Sequence, residues 1–525
     1  MNDTCDPWQI PEHPFDYAKL IRHPDGIGHI PEKKQGAKIA VIGAGCAGLC
    51  AAYELMKTGL HPVIYESAKH PDGTPRIGGR CYTYRFPGDP EAFAELGAMR
   101  FPPVHRLLTT YMDRFGIDYS RPFPDPLVVP TVLWFEGKKH FIPVGGPLPP
   151  EIRKASDAWR RLAAPLANQM IRVWNTPALR EKQWKTFAEQ YADKSFYQVL
   201  REQGLSRKEI RYFGSLGLGT GGFDSLFPIS FLEILRIVVC KWEVGQRLIR
   251  GGTDQIPLGF WKRPRYCRHG GRQSVSLLNK DTLRPAVREI YTPCDPAEPV
   301  LITDDTGKRE PYDAVIVTCS LRALETGIRV NRRTFSDPVW TALQNIHMVS
   351  SGKVFVRTRT AFWKKQPPES TLNCTITDEI TRGTYLFDFE NTPSGVICLS
   401  YTWEDASLKL SGPDADARVS KSLEVLARIY GKDLISREVA EAVSFSWENA
   451  DGYNGAFKLT YPGQYEYQKI LCRQPLSPEP ESRNGVFLAG DSVSWAGGWV
   501  EGALQSGLNA AMGVIRKIGG RVHSD

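Results

Sequence analysis

The sequence predicts an α/β protein in which a Rossmann-like domain is interleaved with a second, α+β domain that carries a helical insertion. Three observations predict it. A strand, a glycine-rich turn and a helix follow one another from Lys38. Strand and helix patterns of the same kind return in mid-chain and again after Gly485, and a long stretch of helical periodicity separates them. A chain of 525 residues is also too long for one small core, so two domains are expected.

Taken in order, residues 1–35 are dotted with proline and histidine and read as an extended arm on the body. The next strand leads through Gly43-Ala-Gly45-Cys-Ala-Gly48 into a helix from Ala47 to Thr58, then a strand from Pro62 to Tyr65. Residues 104–236 read as mostly helical, with Glu151–Trp174 and Trp184–Gln203 the longest periodic runs. Strand patterns return at Ala286–Tyr291, Val300–Thr303 and Ala314–Thr318, then at Lys353–Arg357 and Gly395–Thr402. A strand at Gly485–Ala489 and a helix from Gly502 to Ile518 close the chain. The expected division is an arm at 1–35, a discontinuous nucleotide domain at 36–103, 252–325 and 451–525, and helical and substrate-binding regions at 104–251 and 326–450.

The glycines of the first turn carry the chemistry. Gly43 and Gly45 suit a tight turn and close approach to a pyrophosphate, Gly48 suits close helix–strand packing, and the helix N-terminus attracts the anion. Glu66 ends the second strand, near the roughly 20-residue spacing of a carboxylate that accepts bonds from ribose hydroxyls. A carboxylate there repels a 2′-phosphate. Downstream, Gly78-Gly79-Arg80 sets flexible backbone beside a cation suited to a phosphate.

Composition narrows the class. Hydrophobic residues are 42% and charged residues 24%, as in an ordinary globular protein. The formal charge of +8 is dispersed among acids rather than clustered, so nucleic acid is not expected as a partner. Eleven cysteines show no metal-type spacing, no metal site is expected, and Cys46, Cys50, Cys319 and Cys398 fall in apolar runs. The N-terminus lacks a leader pattern and no apolar stretch approaches the ~18 residues of a membrane span, so a cytoplasmic location without membrane contact is expected.

The Gly43 turn, the Gly79-Arg80 pair and Ala489-Gly490-Asp491 together resemble the flavin-containing amine oxidase superfamily, which implies the amine oxidase fold with FAD as cofactor. The resemblance implies that Asp491 meets the FAD and that the helix following Gly497-Gly498-Trp499 points its N-terminus at the flavin. It adds Met99, Val287, Trp499 and Val500 to the cofactor contacts. No cysteine lies between Gly490 and Glu501, where a covalent relative carries its thioether link, so the FAD is expected to be noncovalent. A homodimer is a family expectation.

Within the superfamily the resemblance narrows to enzymes of L-α-amino acids. Arg100, in Glu95-Leu-Gly97-Ala-Met99-Arg100, resembles the arginine that clamps the substrate carboxylate, a task suited to its planar fork. Tyr401 resembles a tyrosine that meets the same carboxylate, and Gly498 a glycine whose carbonyl accepts a bond from the amine. Trp499 and Trp447 resemble pocket aromatics. Lys353 resembles a catalytic lysine that holds a water near flavin N5, although Gly352 interrupts the family's usual Ser-Ser-Lys. Gly217-Leu-Gly219-Thr-Gly-Gly-Phe-Asp224 and Phe231–Arg236 are similar to the bacterial subgroup of tryptophan 2-monooxygenase, lysine 2-monooxygenase and phenylalanine oxidase.

The resemblance implies hydride transfer from the amino-acid Cα to flavin N5 and reoxidation by dioxygen. Release of 2-oxo acid, ammonia and hydrogen peroxide, the oxidase outcome, is the first expectation; decarboxylation to an amide, the monooxygenase outcome, is the alternative. Lysine-acting relatives place an acid where this chain has Leu226 and a smaller residue near Trp242. Leu226, Trp242, Trp447 and Trp499 therefore point to hydrophobic, especially aromatic, substrates, while Asp224 and Glu243 keep a basic one open.

Overall fold

A computed structural model describes residues 10–12, 15–23, 26–215, 223–267, 271–431, 433–477 and 484–524. The Gly217–Gly222 part of the subgroup motif and the first nine residues of the arm lie outside them. Six strands carry the architecture: β1 (Lys38–Ile42), β2 (His61–Tyr65), β3 (Ala314–Val317), β4 (Ser351–Thr358), β5 (Gly395–Trp403) and β6 (Val486–Leu488).

β6, β3, β1 and β2 lie side by side in that order as a parallel sheet, with Val317 opposite Ile42 and Ile316 opposite Phe487. A parallel sheet is covered on both faces, which is why these strands read as unbroken apolar runs. Alternate residues part between two cores. Ile39, Val41 and Ile316 pack on one face, and Ala40, Ile42 and Val317 on the other.

Eight helices are needed to place the site: α1 (Tyr17–Arg22), α2 (Cys46–Lys57), α3 (Arg106–Phe115), α4 (Pro150–Val173), α5 (Pro177–Tyr191), α6 (Phe196–Glu202), α7 (Phe231–Val239) and α8 (Val500–Lys517). α2 and α8 cover one face of the parallel sheet, sharing its core through Leu49, Ala52, Leu508 and Ala511. α4, α5, α6 and α7 form the helical insertion around Trp174, Trp184, Phe196 and Phe231.

Three sequence expectations change. The run expected as one helix from Trp184 to Gln203 is two, because Ser195 opens a new N-terminus: its hydroxyl accepts from Gln198 N while the Gln198 side chain accepts from Ser195 N. Residues 131–142, expected to be helical, form a hairpin of Thr131–Phe135 and Lys138–Ile142 turning at Glu136-Gly137, both with positive φ. The arm is not simply extended. It contains α1, buries Ile21, Ile27 and Ile30, and pairs Gly28–His29 with Arg521–Val522.

The hairpin joins a seven-stranded sheet ordered Val439–Ser446, β4, β5, Gly383–Asp388, Cys374–Thr377, Thr131–Phe135, Lys138–Ile142. In it β4 and β5 are antiparallel with Lys353 opposite Tyr401. Gly352 keeps this register, pairing with Thr402, and the strand irregularity falls later, between Val354 and Phe355. Among the described residues no helix is long and apolar enough to cross a membrane.

Candidate active site

One cavity of about 930 Å³ runs from the glycine-rich turn to the seven-stranded sheet, bounded by residues of both sheets and of the helical insertion. At one end the chain leaves β1 through Gly43, whose φ of +114° is open to glycine. Gly48 is required by packing: a Cβ there would lie 2.2 Å from the Gly43 carbonyl oxygen. α2 then begins at Cys46 with Gly45 as its N-cap and no side-chain cap, leaving its first amides as donors toward the cavity.

Glu66 braces that turn. Its Oε2 accepts from Ala44 N at 2.7 Å, and its Oε1 accepts from Ser67 N and Ala68 N at 2.8 Å. Enclosure pushes its carboxyl above the usual range, opposed by those amides. Arg76, which opens the Gly78-Gly79-Arg80 stretch and received no role of its own from sequence, locks the next loop. It is buried, donates from Nη1 to Gly79 O at 2.7 Å and from Nη2 to Tyr453 Oη at 2.8 Å, and stacks on Tyr82. Arg80 Nη2 pairs with Asp491 Oδ1 at 2.6 Å, and Asp491 Oδ2 accepts from Gly498 N at 3.1 Å. Met99, Val287 and Val500 line the same space, while Gly48 stands behind it in the helix–strand contact.

This end fits a dinucleotide. It offers uncapped helix amides, a backbone cradle that a Cβ at Gly48 would destroy, a carboxylate at the end of the second strand, and an arginine on the wall.

At the other end β4 and β5 present Lys353 and Tyr401. Lys353 Nζ donates to Glu95 O at 3.0 Å and Gly97 O at 2.6 Å, and sits 4.5 Å from the centre of the Tyr401 ring. Burial pushes its ammonium down to about 8, and pushes the Tyr401 phenol up to about 12. Arg100 Nη1 pairs with Glu243 Oε2 at 3.1 Å and Asp125 Oδ1 at 3.3 Å, and its guanidinium lies 5.4 Å from the Phe123 ring centre. Trp447 donates from Nε1 to Leu96 O at 2.9 Å, which fixes its ring against the wall.

Leu226, Trp447, Gly498 and Trp499 all line the cavity, but Trp242 does not. α7 ends in a Schellman turn, with Lys241 N donating to Val238 O, Trp242 N donating to Ile237 O, and Lys241 at φ +57°. That turn sends Trp242 into the helical core and brings Glu243 to the cavity. Trp242 therefore acts from behind, edge-on to Trp499 and to the buried His105. The carboxylates that kept a basic substrate open both have arginine partners: Asp224 pairs with Arg382 at 2.8 Å and Glu243 with Arg100. The sequence reading missed Trp159, Ile237 and Val238 and gave no role to Phe457, which lies in the Gly455–Pro462 stretch similar to the bacterial subgroup; all four extend the apolar wall. For Ile237 and Val238, the resemblance at Phe231–Arg236 pointed toward α7.

The sequence pattern of the family described as flavin containing amine oxidoreductase matches residues 46–515. The chain is 32% identical to tryptophan 2-monooxygenase of Pseudomonas savastanoi over 97% of this chain and 95% of that protein. It is 31% identical to tryptophan 2-monooxygenase of Pantoea agglomerans pv. gypsophilae over the same shares of each chain. Among solved structures, an engineered putrescine oxidase superposes with a TM-score of 0.71 at 18% identity, over 91% of this chain and 99% of that one. Cyclohexylamine oxidase from Brevibacterium oxydans gives 0.67 at 16% identity, over 92% and 99%. These two structural likenesses speak for the fold.

Proposed function

We propose, from the premise that this chain belongs to the flavin-containing amine oxidoreductase family and is an FAD-dependent enzyme, that it oxidises an L-amino acid with an aromatic or large apolar side chain and releases the decarboxylated amide. The oxidase outcome ranked first on sequence alone. Similarity to tryptophan 2-monooxygenases over 97% of the chain reverses that order.

One observation carries the reading: Arg100, Lys353 and Tyr401 face the same cavity as the glycine-rich turn. Gly43, Gly45, Glu66, Gly79, Arg80 and Asp491 hold the FAD, with Met99, Val287, Trp499 and Val500 along its length. Bound FAD would supply the two-electron redox chemistry, as acceptor of the substrate Cα hydride and donor to dioxygen. Arg100 and Tyr401 take the substrate carboxylate, and the Gly498 carbonyl accepts from the amine. Leu226, Trp447 and Trp499 enclose the side chain and exclude water, with Trp242 supporting Trp499. Lys353 holds a water against the reacting face. The protein's part is orientation, and the redox chemistry belongs to the cofactor.

The amide outcome balances as amino acid plus O2 giving amide, CO2 and water. The oxidase outcome balances as amino acid plus O2 plus water giving 2-oxo acid, ammonia and hydrogen peroxide. Incubation with L-tryptophan and with L-phenylalanine, quantifying amide, ammonia and peroxide together, separates them. The expected result is amide in excess of ammonia. Stoichiometric ammonia and peroxide without amide would return the reading to an oxidase, and faster turnover of L-lysine would overturn the apolar pocket.

A further inference from the structure

Arg100 is already engaged. One guanidinium nitrogen faces two carboxylates, Glu243 at 3.1 Å and Asp125 at 3.3 Å, and its side chain is 6% exposed. The two acids differ in position: Glu243 lines the cavity and Asp125 does not. A carboxylate arriving through the cavity thus meets Glu243 in the place it needs. Three carboxylates around one enclosed guanidinium would leave two negative charges without compensation, which burial strongly disfavours.

We infer that Glu243 is a built-in stand-in for the substrate carboxylate, and that substrate displaces it from Arg100 as the neutral acid, with uptake of one proton from solution. This rests on Arg100 being the carboxylate clamp and adds the residue that competes for it. The surroundings agree. Enclosure already pushes the Glu243 carboxyl above its ordinary range, and the Asp125 charge pushes the same way; only Arg100 opposes them. An incoming anion that neutralises Arg100 removes that opposition. The other groups facing this corner are the Tyr401 phenol from β5, the Lys353 ammonium from β4, and Lys241, two residues earlier on the same wall. Burial pushes Lys353 down to about 8, and it feels the Arg100 charge. Proton uptake by Lys353 would survive in Glu243→Gln, which separates the two. Tyr385 adds a reserve donor: its buried hydroxyl has no hydrogen-bond partner, and it senses the charges of Arg100 and Asp125.

The step moves one proton and no electrons: the Glu243 carboxylate becomes a carboxylic acid as its ion pair passes to the substrate. Glu243 then sets affinity by competition and makes it pH-dependent.

The test uses FAD-loaded enzyme and 3-phenylpropanoate, a carboxylate without an amine to titrate or oxidise. Calorimetry at pH 8 in phosphate and in Tris, which differ in ionisation enthalpy, counts protons. Native enzyme should take up about one proton per ligand, with Kd weakening about tenfold per pH unit toward alkaline pH. Glu243→Gln should bind about tenfold more tightly with uptake abolished, because the competing charge is gone. Asp125→Asn should retain the uptake. Binding by native enzyme without uptake, a flat pH dependence of Kd, or uptake that survives in Glu243→Gln each overturns the inference; the native pH dependence needs no variant to fold. If Arg100→Lys binds 3-phenylpropanoate as tightly as native enzyme, the clamp assignment itself falls and takes this inference with it. Weakened binding by Arg100→Lys without proton uptake in native enzyme removes Glu243 alone.

Discussion

Arg80 and Asp491, from opposite ends of the chain, are ion-paired at 2.6 Å on the wall of one cavity. The pair does more than close a surface. Asp491 also accepts from Gly498 N, so the carboxylate joins the glycine-rich region to the loop that carries Gly498 and Trp499. Asp491→Asn should therefore weaken FAD binding by about 10–100-fold, the scale of losing charge-assisted hydrogen bonds. Flavin fluorescence titration of the apoprotein measures it, and unchanged affinity would show that the pair is only structural.

Lys353 predicts a pH signature with a definite sign. Its folded-state value of about 8 lies below its ordinary 10.5, so between these values the unfolded chain binds more protons than the folded one. Stability from this group consequently rises with pH across that window. Urea unfolding from pH 7.5 to 10.5 should show the rise in native protein and lose it in Lys353→Met. The kcat/KM profile should carry a limb near pH 8 that disappears in the same variant.

Glu12 anchors the N-terminal arm to the helical insertion. Its carboxylate receives Nε and Nη2 of Arg236 at 2.9 and 2.5 Å, while Arg236 also pairs with Glu233 and Glu233 with Lys458. Arg236 is fully buried between Trp184 and Trp495. Breaking such a pair strands a charge, so Glu12→Ala should cost about 3–5 kcal/mol in unfolding free energy. A loss below about 1 kcal/mol by urea titration would mean that the network relaxes without it.

His105 predicts acid sensitivity. Both ring nitrogens are buried without a hydrogen-bond partner, and desolvation pushes its imidazolium down to about 3. Unfolded chains protonate this residue below its ordinary 6.5, folded ones do not, and stability is lost as pH falls below 6.5. His105→Phe should reduce the loss by about 1.4 kcal/mol per pH unit between pH 6 and 4. Equal slopes in the two proteins would point to an undetected partner for the ring.

The parts that sequence made legible are those whose local pattern is self-sufficient. β1, β3 and β6 announce themselves because strands covered on both faces must be apolar throughout, and Gly43, Gly48 and Glu66 because a dinucleotide turn leaves little choice of residue. The hairpin at Thr131–Ile142 was hidden because its partner, Cys374–Thr377, arrives much later in the chain. Trp242 was misplaced for a different reason. Proximity in a motif says which residues gather, but the left-handed Lys241 decides which of two neighbours faces the cavity. Asp125 belongs to no motif, and Arg76, although it opens the Gly78-Gly79-Arg80 stretch, shows its bonds to Gly79 and Tyr453 only in the tertiary structure.

The strand order β6–β3–β1–β2 sets a timetable for biosynthesis. A ribosome releases β1 and β2 early, but their neighbour β3 follows hundreds of residues later and β6 later still. The first half of the cofactor cradle must wait as an unfinished edge while the intervening sheet and helices emerge. Asp491 and α8 follow β6, so the Arg80–Asp491 pair on the cavity wall can form only after β6 has emerged. A chain cut short before β6 would retain the glycine-rich turn yet lack Asp491, and it should bind FAD more weakly than the 525-residue chain.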